Sequence, residues 1–479
     1  MLLYHGPVRP ALGTLLWLAS CAAPSIAPEG PGPFRLHPDN PHYFLFRGRP
    51  TVLVTSGEHY GAVLNLDFDY VKYLDTLAAD GLNHTRLFAG TYREIPGSFG
   101  ITDNTLAPEP GRFACPWARS GQTYDLLRWD DAYFARLKDF MAQASKRGVV
   151  VEVNLWCPNY NSDKKDLLWK ASPLHATNNV NAVGACAGNE VYTLKDADLT
   201  TVQEMTTRKI VRELNAFDNL YFEICNEPYF EGVTIEWQHH IADVIVDAEK
   251  DLPNKHLISQ NIANGRAQVG NPHPAVSIFN FHYCVPPDAV AMNYRLDKPI
   301  GENETGFRGR EDVLYRTEGW DFILAGGAVY NNLDYSFTTK CADGTFLAYA
   351  SPGGGSPSFR RQMKVLKDFI HSFDFVRMRP DRGVIKGGVP DGMQAWALVE
   401  TGRQYALYVH PTLGKGKPSP AREARVEILL EAPAGDYAVE WINPLTGSVD
   451  KKGSTTTTGA LTLRSPPFTE DVAIRVVRR

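Results

Sequence analysis

Between Pro50 and Asn332, short apolar, β-branched runs alternate with stretches in which apolar residues recur every three to four positions. The first pattern is that of strands buried on both faces, and the second that of helices with one buried side. Eight strands are predicted: Thr51–Thr55, Asn83–Phe88, Val149–Trp156, Leu220–Cys225, His256–Gln260, Val276–Phe281, Pro299–Asn303 and Gly327–Asn331. Between the first two, Asp67 caps a helix carrying Val71, Leu74, Leu77 and Ala78 on one face, and Gly81 stops it. A second helix carries Phe134, Leu137, Met141 and Ala144 and ends at Gly148. A third runs from about Asp198 to Ala216, a fourth carries Trp237, Ile241, Val244 and Ala248, and a last spans Ser358–Phe373. Eight buried strands alternating with helices predict an α/β fold, a (β/α)8 TIM barrel. A doubly wound open sheet would carry a glycine-rich phosphate loop after an early strand; none occurs, and Gly353-Gly354-Gly355 opens no nucleotide motif. No cofactor is expected.

After Phe373 the helical period stops. Short runs follow at Gln394–Glu400, Gln404–Val409, Arg425–Leu430, Tyr437–Ile442, Leu461–Leu463 and Asp471–Val477, with turn residues between them. This spacing predicts a small all-β sandwich. The chain then divides into a leader and tether (1–27), a barrel (28–372) and a sandwich (373–479). Two long loops, Ala89–Asp130 and Cys157–Asp198, follow strands and so lie on the face where barrels build active sites. They either close a cleft into a pocket or wall a groove.

The first residues differ from the rest. Ala11–Ser20 is apolar, too short to span a membrane and of signal-peptide length. Leu18-Ala19-Ser20-Cys21 resembles a bacterial lipoprotein box, which predicts export and a lipid anchor at Cys21. The expected location is the periplasm, outer membrane or cell surface, or otherwise the medium. Of the other six cysteines, Cys115, Cys157 and Cys186 lie in loop-like sequence and could pair; Cys341 is a fourth candidate. Cys225 and Cys284 lie in strands as buried hydrophobes.

Composition changes this picture little. The 479 residues are 43% hydrophobic and 22% charged, which excludes a disordered or collagen-like chain. A net charge of −5 without a basic stripe gives no sign of a nucleic-acid partner. Aromatic residues reach 11%, which matters for where the rings lie.

The fourth strand ends in Asn226-Glu227-Pro228, and the seventh reads Pro299-Ile300-Gly301-Glu302-Asn303-Glu304-Thr305-Gly306. Strands four and seven of a barrel lie nearly opposite, so each delivers a carboxylate to the same mouth. Two carboxyls flanking one bond are what glycoside hydrolysis needs. Alternate residues of a strand share a face, so Glu302 competes with Glu304; the spacing from Pro299 favours Glu304.

With these residues the chain resembles glycoside hydrolases of clan A, the retaining superfamily that includes the family-five cellulases and mannanases. Phe222-Glu223-x-x-Asn226-Glu227-Pro228 is similar to the family-five acid/base signature, and Pro299-Ile300-x-x-x-Glu304-x-Gly306 to its nucleophile signature. Gly81-Leu82-Asn83-His84-Thr85-Arg86 resembles the second-strand motif that supplies a buried arginine, and His282-Tyr283 falls where the sixth strand carries a histidine and a tyrosine. The resemblance implies Glu227 as general acid/base and Glu304 as nucleophile. Asn226 would hydrogen-bond the sugar 2-hydroxyl. Arg86 would lie beneath the nucleophile and keep it charged, with Glu302 and Glu223 as buried supports lower in the barrel. The implied substrate is an oligo- or polysaccharide with β linkages. Three features depart from the family. The third strand ends without its histidine, Tyr283 directly follows His282 instead of standing two residues on, and the eighth strand offers no tryptophan. The C-terminal part resembles the small sandwich that often follows such barrels and is sometimes labelled a collagen-binding domain; packing as a stabilising cap is the simpler expectation.

Further substrate-binding candidates are His59 after the first strand and the rings of Tyr60, Trp156, Tyr160, Tyr283 and Tyr330, since sugar faces pack on aromatics. No metal is expected, because the first strand has Glu58-His59-Tyr60 and no His-x-His pair. The alternative to an enzyme is a non-catalytic carbohydrate-binding surface protein on the same barrel.

Overall fold

The computed structural model describes Met1 and residues 32–160, 166–413 and 423–479. Ala11–Ser20 and Cys21, with the export and lipid-anchor expectations they carry, lie outside them. Eight parallel strands form the barrel: β1 (Leu53–Gly57), β2 (His84–Phe88), β3 (Val150–Trp156), β4 (Leu220–Cys225), β5 (Ile258–Asn264), β6 (Val276–His282), β7 (Ile300–Thr305) and β8 (Val329–Leu333). Their ladder runs β1-β8-β7-β6-β5-β4-β3-β2. The two ends meet through a side chain that imitates backbone: Asn83 Oδ1 accepts from Val54 N at 2.9 Å while its Nδ2 donates to Val52 O at 2.8 Å. Phe88 N then donates to Tyr60 O at 3.1 Å at the top of the same seam.

Helices Tyr70–Ala79, Asp131–Lys146, Ala197–Leu214, Ile235–Glu249 and Pro357–His371 match the periodic segments. The first is capped by Asp69, whose Oδ1 accepts from Lys72 N at 3.0 Å; Asp67 instead pairs with Arg112 at 2.7 Å. The barrel departs from a strict eightfold β/α repeat, since residues 265–275 join β5 to β6 without a helix. The helix Asp312–Leu324 gave no amphipathic signal because it is buried on nearly every side, with the barrel behind it and the sandwich in front.

The barrel interior is polar at mid-height. Arg86 on β2 pairs with Glu223 on β4. Glu152 on β3 accepts from Ser259 on β5 (3.1 Å), Asn280 on β6 (2.7 Å) and Asn303 on β7 (3.1 Å). Asn303 Nδ2 also donates to Glu223 Oε1 at 3.0 Å. Below this layer His84 faces the Tyr221 hydroxyl at 3.1 Å, and Phe34 stacks on Tyr221 to close the bottom. Burial, with Arg86 above, pushes the His84 imidazole down to about 3 and keeps it uncharged.

A bulge interrupts β7. Phe281 on β6 opposes Glu302, but His282 opposes Glu304, leaving Asn303 as the extra residue. This overturns the simple alternation. Asn303 points into the barrel, Glu304 reaches the mouth, and Glu302 turns outward to Glu318 on the helix Asp312–Leu324. Burial and the Glu318 charge push the Glu302 carboxyl well up, and its Oε1 accepts from Cys284 N at 2.6 Å, away from the interior lattice. Glu302 is therefore not a support inside the barrel. Glu223 is one.

The C-terminal sandwich has a six-stranded antiparallel sheet and a three-stranded one. The strand Val449–Thr457 was missed because its sequence, VDKKGSTTT, is polar and exposed almost throughout. The larger sheet lies on the helix Asp312–Leu324. The Trp320 ring stacks on Tyr408 at 4.9 Å, Arg316 Nε donates to Asp471 Oδ2 at 2.7 Å, and Tyr408 donates to the same oxygen at 2.6 Å. His410 Nε2 meets Asp321 at 3.1 Å. Cys115, Cys157, Cys186, Cys225, Cys284 and Cys341 are all free thiols, so the pairing that the loop cysteines left open is not made among the described residues. No helix there is long and apolar enough to cross a membrane.

Candidate active site

A cleft of about 320 Å³ opens at the C-terminal ends of the strands. Its walls are largely aromatic, with Tyr60, Phe88, Tyr92, Phe99, Tyr160, Phe230, Tyr283 and Phe307, and its polar groups include His59, Glu94, Asn226, Glu227, Asn264 and Glu304. Glu227 lies just past β4 in the left-handed region (φ +39°), a strained backbone for a non-glycine residue. That turn carries its carboxyl over the mouth, where Oε2 accepts from Tyr160 at 2.8 Å and Oε1 from Tyr229 at 3.2 Å. His282 Nδ1 stands 3.1 Å from Glu227 Oε1 and 3.6 Å from Glu304 Oε1.

Glu304 is held from two other sides. Tyr283 donates to its Oε1 at 2.6 Å, and Arg86 Nη1 donates to its Oε2 at 3.2 Å. Arg86 also donates to Asn226 Oδ1 at 2.8 Å, and its guanidinium packs 4.7 Å from the Tyr60 ring centroid. Asn226 Nδ2 donates to the Tyr160 hydroxyl at 2.8 Å. One fully buried cation thus organises Glu223, Asn226 and Glu304.

Burial pushes the Glu227 carboxyl up, but the hydrogen bonds of His282, Tyr160 and Tyr229 outweigh it and hold the group below the ordinary carboxylate range. For His282, burial pulls the imidazole down, while the charges of Glu304 and Glu227 more than offset it and leave it above the usual value. The opposed shifts favour the imidazole over the carboxyl as the seat of a proton shared between them.

His282 and one oxygen of each carboxyl lie within 4.8 Å of one another, a spacing that could hold a metal ion. The surroundings are those of carboxylates served by donors instead. Arg86 already supplies the positive charge, and each of the four carboxylate oxygens faces a protein donor.

Of the residues named from sequence, Glu227, Glu304, Asn226, Tyr283, His59, Tyr60 and Tyr160 line the cleft, with Arg86 and His282 directly beneath. Two do not belong. Trp156 is 1% exposed; its indole donates to Thr207 at 3.1 Å and packs against Trp237, away from the mouth. Tyr330 is fully buried between β8 and the helix Asp312–Leu324, donating to Tyr315 O at 2.7 Å. Expected to pack on sugar, both rings instead point to the helices because of their parity on the strand. Tyr160, from the loop after β3, supplies a donor to Glu227. Sequence reading missed Tyr229, although it stands two residues after Glu227, and it missed Glu94, Phe99, Phe230, Asn264 and Phe307. These lie on loops or strand ends with no periodicity to mark them.

No family model matches the chain, and no curated protein does. Among solved structures it is similar to a glycoside hydrolase at 13% identity and a TM-score of 0.63, over 93% of this chain and 97% of that one. It is likewise similar to a family 5 glycoside hydrolase from Bacteroides vulgatus at 12% identity and a TM-score of 0.62, over 93% and 94% of the two chains. At these identities the likeness is one of fold, and it extends over barrel and sandwich together.

Proposed function

We propose that the chain is a retaining clan A glycoside hydrolase that cleaves β-glycosidic bonds of an oligo- or polysaccharide by double displacement. The observation that carries this reading is the pair Glu227 and Glu304, with oxygens within 4.8 Å across an aromatic cleft and Arg86 fixed under Glu304. Retaining glycosidases hold their two carboxyls about 5–5.5 Å apart, whereas inverting ones leave about 6.5–9.5 Å for a water. The fold shared with two solved glycoside hydrolases supports the same reading.

In the first step a Glu304 oxygen bonds to the anomeric carbon as the bond to the leaving oxygen breaks. The leaving oxygen takes that electron pair and a proton from Glu227. The proton comes from the Glu227–His282 pair, passing by way of the carboxyl. In the second step Glu227 removes a proton from water, the water oxygen attacks the same carbon, and Glu304 leaves as carboxylate. Asn226 is placed to hold the 2-hydroxyl of the attacked ring. The leader motif ending in Cys21 supports export with a lipid anchor, and the sandwich acts as a cap on the barrel.

A panel of chromogenic β-glycosides tests the reading. Glu227→Gln and Glu304→Gln should each lower turnover by several orders of magnitude, and the released sugar should keep its anomeric configuration. Sugar binding without turnover in the wild type would mark a non-catalytic carbohydrate-binding protein and overturn the proposal.

A further inference from the structure

Glu94 and His59 are buried polar groups of the cleft that neither step above uses. Glu94 is 3% exposed, accepts from Asn104 Nδ2 at 2.5 Å and Tyr92 at 3.3 Å, and lines the cleft. His59 is 9% exposed, and its Nε2 lies 3.5 Å from Glu94 Oε1. Its Nδ1 has no hydrogen-bond partner, and Nε2 has only that long contact, which falls short of hydrogen-bond geometry. Buried polar groups left in that state are rare in native proteins and point to an absent partner. Packing fixes the ring in place, since it stacks on Tyr60 at 5.8 Å and leans on Tyr335 at 5.7 Å.

The pair belongs to one end of the cleft. His59 stacks on Tyr60 and leans on Tyr335, which follows β8, the strand that neighbours β7 and its Glu304, and the Glu304 charge is among those that raise the imidazole. If Glu304 attacks and Glu227 protonates, the attacked ring lies on the Glu304 side, and that ring is on the non-reducing side of the bond. The wall behind it is tied together by three loops. Glu94 N donates to Leu106 O at 2.7 Å, Thr105 Oγ1 donates to Glu58 Oε2 at 2.6 Å, and Thr102 N donates to Ala350 O at 2.9 Å. The first bond folds the segment after β2 on itself, and the other two join it to the segments after β1 and β8. At Gly61 the approach is so close that a Cβ would come within 2.3 Å of the Thr105 backbone.

Resting on the glycosidase reading, we infer that Glu94 and His59 form the blind end of the cleft and hold hydroxyls of a neutral terminal sugar, so that the protein removes single residues from the non-reducing ends of chains. A sugar hydroxyl can donate to the carboxylate and accept from the imidazole, which satisfies both. A uronic acid is disfavoured, because Glu94, Glu227 and Glu304 already line the cleft and Arg86, the buried cation beneath it, is fully engaged.

The test uses wild-type protein with 4-nitrophenyl β-glycosides of glucose, galactose, mannose, xylose and glucuronic acid. It adds β-linked gluco- and manno-oligosaccharides, free or blocked at the non-reducing end by a 4,6-benzylidene group. The expected result is hydrolysis of a neutral glycoside, release of monosaccharide from the free oligosaccharides, at least hundredfold slower cleavage of the blocked ones, and no action on the glucuronide. Glu94→Gln and His59→Gln should raise KM at least tenfold while changing kcat less. Blocked chains cut at the free-chain rate, a preferred glucuronide, or an unchanged KM in both variants would overturn the inference. If no glycoside is hydrolysed, calorimetry with the four neutral monosaccharides separates the two claims. Binding that both variants weaken keeps the blind end and sinks the glycosidase reading; no binding of any of them sinks the blind end as well.

Discussion

The Tyr283 hydroxyl donates to Glu304 Oε1 at 2.6 Å from a backbone in the left-handed region, φ +55°. In an extended strand the neighbours His282 and Tyr283 would point to opposite faces. The left-handed residue breaks that alternation, and both side chains reach the same carboxylate. Tyr283→Phe should therefore lower kcat by about 10- to 100-fold, the range for losing one hydrogen bond to a charged group. The melting temperature should change little, and initial rates beside thermal melts check both.

Among the described residues Arg86 is the one guanidinium under the site, and it touches Glu223, Glu304 and Asn226. Arg86→Ala leaves two buried carboxylates without their cation, so a loss of about 3–5 kcal/mol is expected in denaturant unfolding, with activity abolished. Arg86→Lys should recover part of the stability and little of the activity, because an ammonium cannot reproduce the planar fork.

Burial, with the Glu223 charge close by, raises the Glu152 carboxyl to about 8. The folded chain then holds a proton that the unfolded chain has released above the ordinary 4.5. Its contribution to stability is complete below that ordinary value and disappears as pH rises through about 8. Unfolding midpoints taken from about pH 5 to about 9 should fall toward the alkaline side, and Glu152→Gln should flatten that fall.

Trp156 and Tyr160 separate core from cleft. Trp156→Phe should cost about 1–3 kcal/mol of stability through lost packing and the Thr207 bond, with KM unchanged. Tyr160→Phe removes the donor to Glu227 Oε2 and the acceptor for Asn226, so it should lower kcat with the melting temperature nearly intact.

The seam between barrel and sandwich rests on Arg316, Asp471, Tyr408 and Trp320. Arg316→Ala strands the buried Asp471, so a loss of about 3–5 kcal/mol is expected. Scanning calorimetry should show one transition for the wild type. The variant should melt lower and keep its turnover per folded molecule, since the seam lies behind β7 and not in the cleft.

All eight barrel strands were legible because each is a short apolar run between helices of clear period, and their observed ends shift by only a few residues. Asp312–Leu324 was not legible, since a helix covered on all sides loses the polar face that marks its period. Val449–Thr457 failed for the opposite reason, having no buried face to show. Glu227 and Glu304 were legible as polar residues ending apolar strands at a fixed spacing. Glu302 was misplaced because a one-residue bulge reverses facing and leaves no mark in composition. Glu94 and Tyr229 depend on loop geometry, which only the folded chain sets.

The polar layer inside the barrel also constrains how this chain can be rebuilt. Arg86 binds partners on β4 and β7, Asn303 binds partners on β3 and β4, and Asn280 reaches from β6 to β3. Any crossover between this gene and a relative that falls between β2 and β7 separates at least one donor from its acceptor. Chimeras joined there should fail unless the linked positions travel together, whereas a junction placed after the helix Pro357–His371 leaves the interior lattice whole and needs the seam of Arg316, Trp320 and Asp321 against Asp471, Tyr408 and His410 to match. Divergence within the barrel is then expected to proceed by compensated pairs.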